Sequence, residues 1–165
     1  MSDLDAQVDR IFAARDRERM QPTIDAFERL LADHPDNPRL VYEVGGSYDT
    51  AGEEQTAIPF YTRALELGLD GRLRRQCLLQ LASTLRNLDR FDESLELLDG
   101  AIAEFPDSPS LLVWKAFTLH ASGRPNDGFA LLLETIADHL DSPEIARYEA
   151  ALRGNAEYIR SLDGD

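Results

Sequence analysis

The chain has 165 residues, 43% hydrophobic and 29% charged, enough apolar content for one domain spanning 1–165 with a proper core. Its 31 acidic against 17 basic side chains leave a formal charge of −14, which repels phosphate backbones and anionic headgroups and points away from nucleic acid and membranes as partners. The opening MSDLDAQVDRIF lacks a basic start before an apolar run, and no apolar stretch nears the 18 residues of a membrane span, so a cytoplasmic protein is expected. The single cysteine, Cys77, excludes an internal disulfide framework and a cysteine-rich zinc site. Within RRQCLLQL it reads as a small buried packing residue, with a reactive thiol near Arg75 as the alternative.

Taken in chain order, apolar helices are joined by four similar segments: LADHPDNP (31–38), LELGLDG (65–71), IAEFPDSP (102–109) and IADHLDSP (136–143). Asn37-Pro38, Ser108-Pro109 and Ser142-Pro143 each predict an N-cap followed by Pro in the first helical position, where its missing N–H costs nothing. The short polar stretches DTAGEE, RNLDRFDE and ASGRPND predict turns between antiparallel helices. Pro59 falls in the second turn of its helix, with a slight bend expected. Ile145, Tyr148, Leu152, Ile159 and Leu162 follow helical spacing and predict an amphipathic final helix, its polarity interrupted around RGNAE, that caps the last apolar face.

Aligning these helices places Ile11, Gly45, Ala82 and Ala116 in register, in steps of 34, 37 and 34 residues. Phe27, Tyr61, Leu98 and Leu132 follow with the same steps, so the period is 34 with a three-residue insertion around LGLDGRLRR. The unit with Val41, Val44-Gly45, Tyr48, Ala57, Tyr61 and Ala64 resembles the tetratricopeptide repeat. The next keeps Leu78, Leu81-Ala82, Leu85, Ser94, Leu98, Ala101 and Pro106. The following one keeps Leu112, Ala116, Leu119, Gly123 and Leu132 but departs at Lys115 and Gly128. A first, degenerate unit keeps Ile11, Ala14, Phe27, Leu30 and Pro35.

The resemblance implies an all-α, right-handed α-solenoid: a degenerate unit over 4–37, repeats over 38–74, 75–108 and 109–141, and a capping helix over 142–163. LASTLRNLDRFDESLELL is also similar to small bacterial tetratricopeptide proteins that carry no specific functional assignment. A lone lysine, Lys115, among sixteen arginines fits a GC-rich bacterial genome. Gly45, Tyr48, Ala57, Tyr61, Ala82 and Ala116 are then structural repeat positions. Gly45 lies where the helices of a repeat press together; its neighbour Gly46 does not face that contact.

In such solenoids the first helices of successive units line a concave groove. By resemblance that face holds Val8, Phe12 and Arg15; Tyr42, Gly46 and Asp49; Leu79, Ser83 and Arg86; and Val113, Phe117 and His120, each set spaced i, i+4, i+7. Gly46 and Ser83 lie between Phe12 and Phe117, which predicts a depression for an apolar peptide anchor, with Arg86 and Arg15 available to a carboxylate. Mutual packing of the two phenylalanines is the competing reading. The clamp by which some relatives hold acidic C-terminal tails is matched here by Tyr42, Gly46, Gln80, Ser110 and Trp114, which does not support that specificity. Trp114, beside the groove row, reads as packing before ligand contact.

No spacing suggests catalysis, a metal or a cofactor: His34 and His139 share one repeat position, His120 stands apart, DHPDN lacks a calcium-loop pattern, and there is no phosphate-binding glycine loop. The sequence therefore predicts a non-enzymatic protein-interaction module or scaffold that binds a peptide or partner helix. Homo-oligomer formation through Tyr148, Leu152 and Ile159 is the alternative.

Overall fold

The computed structural model describes residues 3–162, and every regular element among them is an α-helix. In order these are α1 (Asp3–Ala14), α2 (Gln21–Asp33), α3 (Pro38–Thr50), α4 (Glu54–Glu66), α5 (Gly71–Asn87), α6 (Phe91–Glu104), α7 (Pro109–Ala121), α8 (Pro125–His139), α9 (Pro143–Arg147) and α10 (Glu149–Ser161). They fall into two compact units, the first ending at Thr84 and the second starting at Leu85.

In the first unit Val8, Phe27, Leu40 and Val44 are at most 1% exposed and form a core against which Ile11, Leu30, Leu31, Tyr48 and Phe60 pack. Their helical spacing turns one apolar stripe of each helix inward. Burying a side chain of this size stabilises by about 1.5–3 kcal/mol. Val8, expected in the groove, belongs to this core instead, because its stripe on α1 faces Phe27 and Leu40.

Gly45 sits in the tightest contact between α3 and α4: a Cβ there would lie 3.0 Å from Phe60 Cβ and 3.1 Å from Tyr61 Cδ1. Tyr61, Ala57 and Ala64 are fully buried nearby, and Tyr48 stacks on Phe60 with ring centroids 5.6 Å apart. Cys77 is buried too, its Sγ 3.6 Å from the Tyr61 carbonyl oxygen, and burial pushes its thiol up to about 12. A thiol held neutral in this way is a packing residue.

The second unit buries Leu98, Ala101, Leu111, Ala116, Leu119, Ala130 and Ala156. Gly128, which departs from the repeat pattern in sequence, shares the register of Ala57 and Ser94. A Cβ on it would stand 2.6 Å from the Ala116 carbonyl oxygen, so α7 and α8 approach here more closely than an alanine allows.

The three turns inside repeats have one geometry. Gly52, Asp89 and Gly123 occupy the same place and all have positive φ, at 80°, 58° and 86°. The next residue's N–H reaches back to the same carbonyl each time: Glu53 to Tyr48, Arg90 to Leu85 and Arg124 to Leu119, all at 2.9 Å. These bonds satisfy the orphan carbonyls of α3, α5 and α7 in the manner of a Schellman cap.

Helices start at Pro38, Pro109 and Pro143 as their caps predict. Asn37 Oδ1 accepts from the Leu40 N–H at 3.0 Å. Ser108 and Ser142 hold the N-cap position without a side-chain capping bond, Ser108 Oγ instead lying 3.1 Å from Ser110 Oγ. α4 runs on through Pro59. The insertion lengthens a helix: α5 has 17 residues where α3 and α7 have 13, and the extra turn precedes Ala82.

The segment expected to form one final helix is two, divided at Tyr148, while the polar RGNAE stretch continues α10. The expected end of that helix, Asp163, lies outside the described residues. α10 packs along α8, burying Ala156 completely. Arg153 donates to Asp138 at 2.6 Å and Arg160 reaches both carboxylate oxygens of Glu134 at 2.9 Å.

Candidate functional site

In the first unit α1, α3 and the part of α5 up to Thr84 are the first helices of their pairs, and two cavities open among their side chains. The larger, about 300 Å³, is lined by Phe12, Arg39, Tyr42, Glu43, Leu79 and Gln80, with Asp9, Arg72, Leu73 and Gln76 completing the wall. The smaller, about 100 Å³, shares Phe12, Tyr42, Glu43 and Gln80 and adds Arg15, Gly46 and the segment around Arg17 and Met20. Of the groove positions expected from sequence, Phe12, Arg15, Tyr42, Gly46 and Leu79 thus stand together.

Gly46 has open space where Gly45 has none. A Cβ would meet only Tyr61 Oη at 3.8 Å and Gln80 Oε1 at 3.9 Å, ordinary contact distances. Its missing side chain forms part of the smaller cavity's wall. Phe12 is 44% exposed, and the Arg15 guanidinium lies over its ring at 3.6 Å while donating to the Phe12 carbonyl at 2.7 Å. That stacking holds the cation without burying it. Tyr42 is buried with its ring against Tyr61, centroids 6.1 Å apart. Burial raises its pKa, and the Gln80 side chain opposes the rise.

Asp49 serves the interior of the first unit. It accepts from Tyr61 Oη and from Thr84 Oγ1, both at 3.1 Å; burial raises its pKa and the two hydroxyl bonds oppose the rise. Ser83 is half-buried on α5.

In the second unit Arg86 donates to Asn87 Oδ1 at 3.1 Å, and partial burial lowers its pKa. Val113 is half-buried, and Phe117 and His120 are exposed. Phe117 leans on Trp114 with centroids 5.7 Å apart, and the buried Trp114 Nε1 has no hydrogen-bond partner among the described residues. The terminal residues divide: Leu152 and Ile159 are half-buried, whereas Tyr148, Tyr158 and Leu162 are exposed, as are Phe129 and Ile136 on α8 and Leu140 just after it.

In the row one residue beyond Tyr42 and Leu79 the sequence reading named Gln80 and Trp114, as matches to a clamp it did not support, but not Glu43. Glu43 and Gln80 line both cavities, and Trp114 has their register in the second unit. A lone acidic residue among apolar neighbours, in LVYEVGG, is the signal that marks this row. The same helices carry a hydroxyl four residues further on: Ser47 donates to the Glu43 carbonyl at 2.8 Å, Thr84 to Gln80 at 2.9 Å and Thr118 to Trp114 at 3.1 Å. Such back-bonds give buried hydroxyls a partner inside their own helix.

Glu43 is only 9% exposed. Its carboxylate receives no hydrogen bond from the described residues, and burial pushes it up to about 7 against the pull of Arg39 and Arg15. Gln80 Oε1 is likewise buried without a donor. Arg39 is engaged with Asp5 and Asp9, at 3.1 and 2.5 Å. Among the described residues no group of three His, Cys, Asp or Glu side chains is placed to hold a metal ion, and no helix is long and apolar enough to cross a membrane.

No curated protein matches the chain significantly. Solved structures do. A MamA point mutant matches with a TM-score of 0.66 at 23% identity, covering 88% of this chain and 79% of that one. MamA AMB-1 matches at 0.62 and 19% identity, over 80% and 87% of the two chains. A MamA RS-1 ArsTM double mutant gives 0.66 at 14% identity over 100% and 99%. At these identities the likeness carries the fold alone. The family model described as Tetratrico peptide repeat matches residues 38–159. With that match over most of its length, and with helix pairs that turn through one repeated cap, the chain belongs to the tetratricopeptide repeat family.

Proposed function

We propose that the protein is a non-enzymatic interaction module that holds an extended peptide or a partner helix against α1, α3 and α5. The fold supports a scaffold role in general. The observation that carries the specific reading is the pair of cavities sharing Phe12, Tyr42, Glu43 and Gln80 on those first helices. At about 300 Å³ the larger is at the lower end for a small-molecule site and suits one anchoring side chain. Leu79, Tyr42 and the Phe12 ring supply apolar wall, and the polar groups between them would orient the chain. The cytoplasmic placement expected from composition accompanies this reading.

A peptide array probed with labelled protein tests it. Binders that lose affinity with Leu79→Asp, while circular dichroism shows an unchanged helical spectrum, support the reading; binders indifferent to it remove this face from consideration.

A second reading, self-association through the C-terminal region, draws on the exposed Phe129, Ile136, Leu140, Tyr148, Tyr158 and Leu162 in the second unit. Light scattering over a concentration series tests it. A mass that stays at one chain throughout would end it.

A further inference from the structure

A carboxylate buried without a hydrogen-bond donor is costly, and so is a buried amide oxygen left unpaired. Gln80 Oε1 is such an oxygen, Glu43 is a carboxylate only 9% exposed that receives no hydrogen bond from the described residues, and both line the same two cavities. Replacing either by an apolar residue would relieve that cost, so their presence at an open cavity marks a place that awaits donors.

The surrounding cations leave this requirement unmet. Arg39 gives its terminal nitrogens to Asp5 and Asp9, its buried Nε having no partner among the described residues, and Arg15 is held on the ring and carbonyl of Phe12. In the larger cavity Asp9 and Glu43 offset Arg39 and Arg72, within a chain of net charge −14. An anionic ligand would meet two acceptors and a repelling long-range field. A cation would meet its complements.

We propose that this site receives an arginine side chain of the partner peptide, its guanidinium donating to the Glu43 carboxylate and to Gln80 Oε1. This rests on the peptide-binding reading above. Arginine fits better than lysine because the acceptors belong to different helices, α3 and α5, and a guanidinium presents five donors in a planar fork. Aromatic wall is at hand in Tyr42 and Phe12, and Arg15 on Phe12 shows that a guanidinium stacks on a ring in this setting.

The test uses N-acetyl-arginine amide as probe, with the citrulline, lysine and glutamate amides beside it, followed by amide NMR shifts of the full chain. The expected result is saturable shifts centred on Glu43, Gly46 and Gln80 for arginine, with binding about tenfold weaker or more for citrulline and for the Glu43→Gln variant, one charge-assisted contact being lost. Glu96→Gln, which removes an equal charge from an exposed position, should leave binding unchanged. Equal binding of arginine and citrulline, indifference to Glu43→Gln, or equal loss with Glu96→Gln would overturn the proposal. If array binders depend on Leu79 while arginine gives no such shifts, the arginine assignment fails and the peptide-binding reading stands; if the array yields no Leu79-dependent binder, the underlying reading fails.

Discussion

Gly128 lies so near α7 that a methyl group on it would come within 2.6 Å of the Ala116 carbonyl oxygen and 3.4 Å of the His120 nitrogen. Backbone atoms cannot swing aside as a side-chain end does. Gly128→Ala should therefore destabilise by about 1–3 kcal/mol, the cost of overpacking, outweighing the roughly 1 kcal/mol that alanine gains in a helix. Gly100 and Gly154 have nothing within 4 Å of an added Cβ. There the propensity term acts alone, and each Ala variant should stabilise by about 0.5–1 kcal/mol. Urea titrations of the three variants check the difference in sign.

Gly46 supplies a sharper contrast between fold and function. Its added methyl meets only ordinary contacts, so Gly46→Ala should raise stability by up to about 1 kcal/mol. It should also fill part of the smaller cavity and weaken peptides found on the array. A variant that is more stable and binds equally well would separate Gly46 from the binding face.

The common turn makes a third prediction. Asp89 holds with φ of 58° the place that Gly52 and Gly123 fill at 80° and 86°. Left-handed backbone strains any residue with a Cβ by about 1 kcal/mol or more, although aspartate tolerates it better than most. Asp89→Gly should stabilise by a few tenths to about 1 kcal/mol, and Gly52→Ala or Gly123→Ala should destabilise by about 1 kcal/mol. Thermal melts followed by circular dichroism will show either the predicted opposite shifts or their absence.

Glu43 should make stability depend on pH. Its folded pKa is raised from the ordinary 4.5 to about 7 by burial, reinforced by Asp9 and opposed by Arg39 and Arg15; Arg72 and Gln80 of α5 also face the cavity. The unfolded chain gives up this proton near 4.5 while the folded chain keeps it until near 7. The stabilising contribution is thus complete below pH 4.5 and is lost as pH rises to about 7, a loss of at most about 3 kcal/mol. Glu43→Gln should remove this component, leaving the variant more stable than the parent at pH 8. Denaturant midpoints from pH 4.5 to 8 measure both effects; parallel curves for the two proteins would refute the assignment.

The repeat was legible because small residues must recur wherever two helices touch, so Gly45, Ala82 and Ala116 carry the period on their own. Gly128 looked like a departure because the pattern was read from Ala57 without asking how closely α7 comes to α8. The groove face was legible in part. A stripe at i, i+4, i+7 finds Tyr42, Gly46 and Leu79, but it cannot tell that α1 rolls Val8 into the core or that Asp49 turns to Tyr61 and Thr84. Glu43 escaped, and Gln80 was named only as a clamp match, because which row lines a cavity depends on how neighbouring helices pack, which no single helix encodes. The break at Tyr148 escaped as well, since the apolar spacing continues across it.

The repeated corner at Gly52, Asp89 and Gly123 has a bearing on how such a chain can change its length. Each corner leaves one helix and enters the next through the same backbone bonds, closed within six residues and made almost wholly by main-chain atoms. A cut and a join placed at two such corners would therefore meet in matching geometry whatever side chains flank them. Recombination between these positions could delete or duplicate a helix pair without inventing a new connection.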